Sequence, residues 1–389
     1  MISRNLRHLR AFLAVADLNS VTRASEACHV SQPAVTQAIG KLEREAGGAL
    51  FRRQPAGLYP TDLGATLVKR VRRAFDILDP ALVELSPRLK LTVSAAQLEA
   101  LIAVREAENF TLAARRLGIA QPTVHRAVTQ IEREAARALF ERTSYGIVAT
   151  RATRALADAA LLAFAELAQA DSDLAEATGR EVGRIAIGAM PLARSSILPQ
   201  ALARFRARRP TLPVLVIDGV YNELLANLRR GEIDILIGAL RNPPPIDDVV
   251  EVPLFMDRLA IIARRDHPAA NGPLTPEALS KWPWVVPRLG TPTRTHFDAL
   301  FAKARPPSIL ESGSIILMRE LLARSDHLGC ISRLQAEAEI EKGLVVSLPV
   351  EISGERPIGL TLRRDWEPTR AQSDLLAEIR AARSVEGGV

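Results

Sequence analysis

Apolar residues in the first third of the chain recur at helical spacing. Leu9, Phe12, Leu13 and Ala16 stand at i, i+3, i+4 and i+7, which predicts a first helix with one inward face. Ser20 is placed to cap a second helix over 22–27, and the chain should turn at 28–30. Ser31 and Pro33 mark a third start, because a hydroxyl can accept a first-turn N–H and proline there loses no helical donor. Along that helix Val35, Ile39 and Leu42 point inward, leaving Gln32, Thr36, Gln37 and Lys41 outside. Residues 50–53, a turn at 55–57 and residues 58–61 read as a short hairpin, or wing, carrying Arg52 and Arg53. A helix over 62–78 should follow, broken by Pro80 and by Ser86-Pro87.

The same pattern returns 89 positions later. Residues 6–61 superpose on 95–150 without a gap, with 20 identities in 56 positions, so one fold is encoded twice. The third helix of the second copy, 121–135, leaves Gln121, Thr123, His125, Arg126 and Gln130 outside, and Arg142 stands on its wing. It opens with Gln121-Pro122, as the first opens with Gln32-Pro33. A long helix over about 151–177, with Leu156, Ala160, Phe164, Leu167 and Leu174 as its stripe, leads out of the second copy.

From residue 184 the pattern changes to short apolar runs alternating with helical segments, the signature of an α/β fold with parallel pairing. Strands are expected at 184–189, 213–218, 233–238, 259–263, 284–286, 308–311 and 329–332, with 345–350 and 358–362 returning the chain. This number of strands suits two lobes.

Charge sharpens the picture. Residues 1–155 carry 23 Lys/Arg against 14 Asp/Glu, and residues 156–389 carry 28 against 30, so the net +7 arises entirely in the duplicated region. A local basic excess attracts phosphate backbones or anionic membranes. The outer helix faces favour nucleic acid, since they are polar and lack the outward Trp, Phe or Leu of a membrane-binding helix. No apolar run is long enough to span a bilayer, and the amino-terminal segment is amphipathic rather than a signal core, so a cytoplasmic protein with no membrane partner is expected. Cys28 and Cys330 lack neighbouring ligands at metal spacing, which predicts buried thiols and no metal or other cofactor. No GxGxxG, P-loop, GxSxG or HExxH pattern is present, and no enzyme is expected.

The residues of the first copy resemble the LysR-type transcriptional regulators. The resemblance rests on Val30-Ser31-Gln32-Pro33-Ala34-Val35-Thr36, Lys41-Leu42-Glu43, Leu50-Phe51-Arg52-Arg53 and Thr61-Asp62-Leu63-Gly64, which match recognition helix, wing and linker-helix start in order and spacing. The second copy resembles the same module through 118–124 and 139–142. It departs at Ala120 in place of the capping serine, Ala136 in place of a glycine, and Thr153 where the first copy has Gly64. Residues 231–234, 253–257 and 267–268 are similar to the family's effector-binding domain, which looks like a periplasmic solute-binding protein.

The resemblance implies a multidomain protein: two winged helix-turn-helix modules plus a two-lobed, periplasmic-binding-protein-like α/β domain. Expected boundaries are 1–62 and 63–93 for the first module and its linker, 94–150 and 151–181 for the second, and 182–382 for the effector domain. One lobe should comprise about 182–258 with 352–382, the other about 259–351. Implied partners are double-stranded promoter DNA, a small-molecule effector in the cleft, a second copy in a homodimer or homotetramer, and RNA polymerase. Sugars and aromatic or other organic acids are the effector classes the resemblance suggests.

Three helix starts facing the cleft supply candidate effector contacts: Arg194, Ser195 and Ser196; Thr291, Thr293 and Arg294; and Ser314. Alternatives stay open for each group. The hydroxyls can serve only as caps, Arg194 and Arg294 can pair internal acids, and the wing arginines can be solvated surface charge. A transport solute-binding protein and an architectural or RNA-binding protein compete with the regulator, but neither uses both the basic duplication and the sensor.

Overall fold

The computed structural model describes residues 2, 4–144, 146–241 and 243–384, and the chain forms two compact units, the first comprising the residues up to Arg184 together with Arg229–Glu232 and the second the remainder from Ile185. The first holds the duplication. Its first copy comprises α1 (Leu6–Leu18), α2 (Val21–Ala27), α3 (Gln32–Ala46), the hairpin β1 (Phe51–Gln54) and β2 (Gly57–Pro60), and α4 (Asp62–Leu85). A short α5 (Leu89–Thr92) connects to α6 (Ala95–Ala107), α7 (Phe110–Leu117), α8 (Gln121–Ala135), β3 (Phe140–Thr143), β4 (Gly146–Ala149) and α9 (Arg151–Ala177). Helices α3 and α8, and both hairpins, are related by the same 89-residue shift that the sequence shows.

Local chemistry sets the boundaries. Asn5, Ser20, Ser31, Thr61, Ser94, Asn109 and Thr150 each cap a helix by accepting a first-turn backbone N–H. Helix α8 starts at Ala120 with no side-chain cap, as its sequence foretold. Its last turn closes on Ala136 at φ 51°, the left-handed conformation that Gly47 adopts at φ 77° after α3.

The expected break at Pro80 does not occur. Helix α4 runs unbroken to Leu85 with Pro80 inside it, because Leu78, Leu82 and Leu85 are buried on both sides of the proline. The packing of that face outweighs one lost backbone hydrogen bond.

In the second unit the elements are β5 (Ile185–Ala189), α10 (Pro191–Ser195), α11 (Ile197–Arg208), β6 (Val214–Asp218), α12 (Tyr221–Arg229), β7 (Ile235–Ala239) and β8 (Val249–Asp257). These continue into β9 (Leu259–Ala263), α13 (Pro276–Leu279), β10 (Trp284–Val286), α14 (Pro292–Leu300), β11 (Ile309–Glu311), α15 (Ile315–Arg324) and β12 (Leu328–Ser332). The chain closes with α16 (Arg333–Glu341), β13 (Val346–Leu348), β14 (Arg356–Arg363) and α17 (Arg370–Ser384).

Two five-stranded sheets form, in the orders β6-β5-β7-β14-β8 and β11-β10-β12-β9-β13. The chain passes from the first to the second at Arg258 and returns between β13 and β14. Both sheets are buried on two faces. Ile185, Ile187, Ile235 and Ile237 pack with α11 and α17, whereas Ala186 and Leu236 between them pack with α12. In the other lobe Trp284 and Val286 join Phe297 and Phe301, while Val285 faces Met318 and Leu322.

Parallel pairing holds for β5 with β6 and β7, and for β10 with β11 and β12, but the returning strands β14, β8, β9 and β13 pair antiparallel, so both sheets are mixed. Strand β8 was not foreseen, since Pro253 argues against a strand. It is tolerated because β8 is an edge strand paired only with β14, and the register shifts beside the proline, between Ile358 and Gly359. Among the described residues no helix is long and apolar enough to cross a membrane.

Candidate nucleic-acid interface and effector site

Helix α3 is held against α1 and α2 by Val35, Ala38, Ile39 and Leu42, all buried, with Leu9, Phe12 and Val15 behind them. The opposite face is presented outward. Ser31, Gln32, Pro33, Thr36 and Gln37 are exposed, and Lys41 is half-buried at 3.8 Å from Glu45. Gln32 donates through Nε2 to Thr22 Oγ1 at 3.1 Å, and Thr36 donates to the Gln32 carbonyl. These contacts fix the first turn of α3 against α2 and leave the Gln32 amide oxygen available. Arg52 and Arg53 are exposed on β1, opposite Tyr59 and Leu58. Chemically, this face offers amide and hydroxyl groups flanked by cations, suited to base edges and phosphates respectively.

The second copy builds the same platform with different heads. Val124, Val128 and Ile131 anchor α8, while Gln121, Pro122, Thr123, His125, Arg126 and Gln130 are exposed. His125 packs on the Phe110 ring at 5.2 Å and contacts Thr129 through Nδ1. Arg142 is exposed on β3 opposite Ile147. Where the copies meet, Arg4 and Arg7 of the first and Arg126 and Gln130 of the second line an open groove of about 580 Å³.

The two linker-helix starts solve one contact in two ways. A Cβ on Gly64 would lie 2.0 Å from the Leu50 carbonyl oxygen, so only glycine fits beneath it. At the equivalent place Thr153 is fully buried and its hydroxyl donates to the Leu139 carbonyl at 2.5 Å. Thr153 thus replaces a close approach with a hydrogen bond.

In the second unit the carboxyl ends of the parallel strands of both sheets gather the candidate effector residues, as ligand crevices of α/β sheets do. Arg194 is partly exposed and pairs with Asp218 at 3.2 Å. Ser195 and Ser196 do not cap α11. Both hydroxyls donate back to carbonyls of the short α10, Ser195 to Pro191 and Leu192 and Ser196 to Leu192, because α10 ends immediately before α11 begins. Thr291 and Ser314 do cap, accepting from the Arg294 and Leu317 amides. The Arg294 guanidinium is buried between Asp298 (2.9 Å) and Glu311 (2.5 Å), so a ligand carboxylate there would compete with two acids.

Thr293 is buried and accepts from Arg356 Nη1, at the centre of a network that sequence spacing did not indicate. Asp257, at the end of β8, takes Arg356 Nε at 2.9 Å and Nη2 at 2.7 Å, and also accepts from Ser332 Oγ at 2.8 Å. Asp257 and Arg356 belong to the first lobe, and Ser332 and Thr293 to the second. Four buried polar groups therefore tie the lobes at the crossover. A second unforeseen cluster follows β7: Arg241 stacks on Tyr221 at 4.4 Å, its backbone N–H donates to Glu251, and its buried Nη1 has no hydrogen-bond partner. Burial raises the Glu251 carboxyl above its usual range and pushes the Tyr221 phenol up to about 12.

Other motif residues are structural. Asp234 accepts from the Ala186 amide at 2.8 Å, joining β5 to the start of β7, and His267 accepts from Ala269 through Nδ1 while Nε2 faces the Asp326 carbonyl.

Two winged helix-turn-helix units that show polar faces outward, followed by a two-lobed α/β domain, define a DNA-binding transcriptional regulator with an effector-binding domain. Family models agree. The bacterial regulatory helix-turn-helix protein, lysR family, matches twice, at 6–65 and 95–154, and the LysR substrate binding domain matches 178–384. The chain belongs to the LysR family of transcriptional regulators, and it is a regulator rather than an enzyme.

Among its relatives is the HTH-type transcriptional regulator GalR of Pseudomonas putida, 36% identical over 97% of this chain and 96% of that protein. Solved structures with the same fold include full-length CbnR complexed with target DNA, at 22% identity and TM-score 0.52 over 74% of this chain and 99% of that one. Full-length LysG from Corynebacterium glutamicum with bound effector Arg matches at 21% identity and TM-score 0.53, over 75% and 98%. Those two chains are spanned almost whole by three quarters of this one, and GalR matches it end to end.

Proposed function

We propose that this regulator binds one promoter site through the exposed faces of both α3 and α8, and that a small organic-acid effector held between the lobes alters that binding. The observation that carries the first part is the repeated presentation of an outward polar face, Gln32, Pro33, Thr36, Gln37 and Lys41 in one copy and Gln121, Pro122, Thr123, His125, Arg126 and Gln130 in the other. Arg52, Arg53 and Arg142 on the wings would hold phosphates. The functional parts in this reading are the modules 1–62 and 94–150, their linkers 63–93 and 151–181, and the sensor 182–382.

For the effector, the unpartnered Arg241 Nη1 together with Arg194, Thr291 and Ser314 favours an anionic ligand over a sugar. Ser195, Ser196, Thr293 and Arg294 surround the site and shape it through the contacts described above. Ligand binding against Thr293 would bear on the Asp257–Arg356 network and so bias lobe closure, a two-state switch. Assembly as a homodimer or homotetramer and contact with RNA polymerase complete the proposal.

DNA binding is tested by titrating full-length protein onto labelled genomic fragments across a salt series. Log K should fall with log salt at about −0.9 per phosphate neutralised, and some fragments should survive competitor DNA. No fragment preferred over bulk DNA would reject sequence-specific regulation. Aromatic and aliphatic carboxylates should then shift the binding curve, and Arg241→Ala should remove that response. A response to neutral sugars alone would reject the organic-acid effector.

A further inference from the structure

Helices α4 and α9 pack along one another in a hydrophobic cluster that runs from Leu9 and Phe12 through Leu67, Val71 and Leu78 to Leu156, Ala160, Phe164 and Leu174. Within that seam Arg70 is buried. Its Nε meets Asp173 at 2.7 Å, and its Nη1 meets Glu166 at 3.1 Å and Gln169 at 2.8 Å. Arg73 adds a second contact to Glu166 at 3.1 Å.

All but one of these partners are absent from the equivalent positions of the other copy. The 89-residue shift carries Arg70 and Arg73 to Ala159 and Leu162, and brings Glu166 and Gln169 back to Ile77 and Pro80, while Asp173 returns to Glu84. Two α9 helices would set Glu166 against Ala159 and Leu162 without a cation, whereas two α4 helices would leave Arg70 with Glu84 as the one equivalent of its three partners. Buried charge without a partner is strongly unfavourable, which disfavours α9 with α9, and the full set of contacts to Arg70 and Arg73 is made by α4 with α9. The link from α4 to α6 is short, and its Leu89 and Val93 are buried in the same cluster, so the second module is packed against the α4–α9 seam of its own chain.

The paired recognition helices carry unlike side chains at equivalent positions: Thr36 and His125, Gln37 and Arg126, Lys41 and Gln130. All but Lys41 are exposed, on helices of the same length and register. In a major groove, arginine favours the O6/N7 edge of guanine and glutamine the N6/N7 edge of adenine.

From these two facts we infer that one chain is a complete reader of a bipartite, non-palindromic DNA site, its α3 and α8 taking two half-sites of different sequence. The inference rests on the proposed DNA recognition by both modules. A chain whose halves differ reads the direction of its site as well as its sequence, which a symmetric pair of identical helices does not.

The test is selection of binding sites from a random double-stranded DNA library by the full-length protein, followed by native mass spectrometry on a short duplex carrying the enriched sequence. Two unlike half-sites and one duplex per chain are expected, whatever the oligomer. Gln37→Ala should relax base preference, by roughly tenfold or more, in one half-site only, and Arg126→Ala in the other only. Gln37→Arg should make the two half-sites more alike. A palindromic consensus, or two chains required per duplex, would overturn the inference while leaving DNA recognition intact. No enrichment at all would overturn the underlying reading and this one together. All three variants change exposed side chains, so folding is checked independently by thermal unfolding and should be unaffected.

Discussion

Replacing Arg356 by methionine keeps most of the side-chain volume and removes the charge from the crossover between lobes. Asp257, whose side chain is 1% exposed, then loses two charged donors and keeps only the Ser332 hydroxyl, while Thr293 loses the donor to its oxygen. Breaking a buried ion pair from one side typically costs about 3–5 kcal/mol, because the remaining charge stays desolvated. By contrast, an exposed pair such as Arg72 with Asp17, each about half exposed, should contribute less than ~1 kcal/mol.

All three tryptophans, Trp282, Trp284 and Trp366, lie in the second unit, so fluorescence during urea unfolding reports on that unit alone. Arg356→Met should lower its stability by at least about 3 kcal/mol at constant m-value. The double variant Asp257→Leu/Arg356→Met, which leaves no charge behind, should lie closer to wild type than the single one. A single-variant loss under ~1 kcal/mol, or a double variant as damaged as the sum of its parts, would refute the reasoning from burial.

Three further outcomes are expected. Ser31→Ala should cost about 1 kcal/mol, whereas Ala120→Ser, at nearly the same backbone angles (φ −70°, ψ 139° against φ −73°, ψ 150°), should add up to about as much in urea unfolding followed by circular dichroism; no gain would show that the second module is capped by other means. Gly64→Ala should lower stability by about 1–3 kcal/mol because its Cβ meets the Leu50 carbonyl, and Thr153→Ala by about 1–2 kcal/mol through the lost bond to Leu139; equal melting temperatures would contradict both. Burial pushes the Cys330 thiol up to about 12, so the thiolate stays scarce through neutral and mildly alkaline pH. Native protein should be alkylated at half-buried Cys28 and not at Cys330 at pH about 7 to about 9; rapid labelling of Cys330 there would refute its burial.

The sequence alone determined what is encoded locally or by repetition. Helical spacing, caps and the 89-residue shift located both modules and their outward faces, because the period of apolar residues and the chemistry of helix starts act over a few positions. Short apolar runs likewise located most strands of both lobes. Where local chemistry and packing disagreed, packing prevailed: Pro80 lies within α4 because the apolar face around it is buried, and Pro253 lies within β8 because that strand is an edge.

Tertiary structure decided which distant residues become partners. Arg70 finds Glu166 at a separation of 96 positions, and Arg356 finds Asp257 at 99. No local pattern marks either pair, since each residue alone reads as ordinary surface charge. The same holds for the roles of Ser196 and Arg294, whose types suited a ligand but whose surroundings gave them internal partners. Burial makes an unpaired charge costly, so the fold fixes these pairs, and it can do so only after the backbone has brought their elements together.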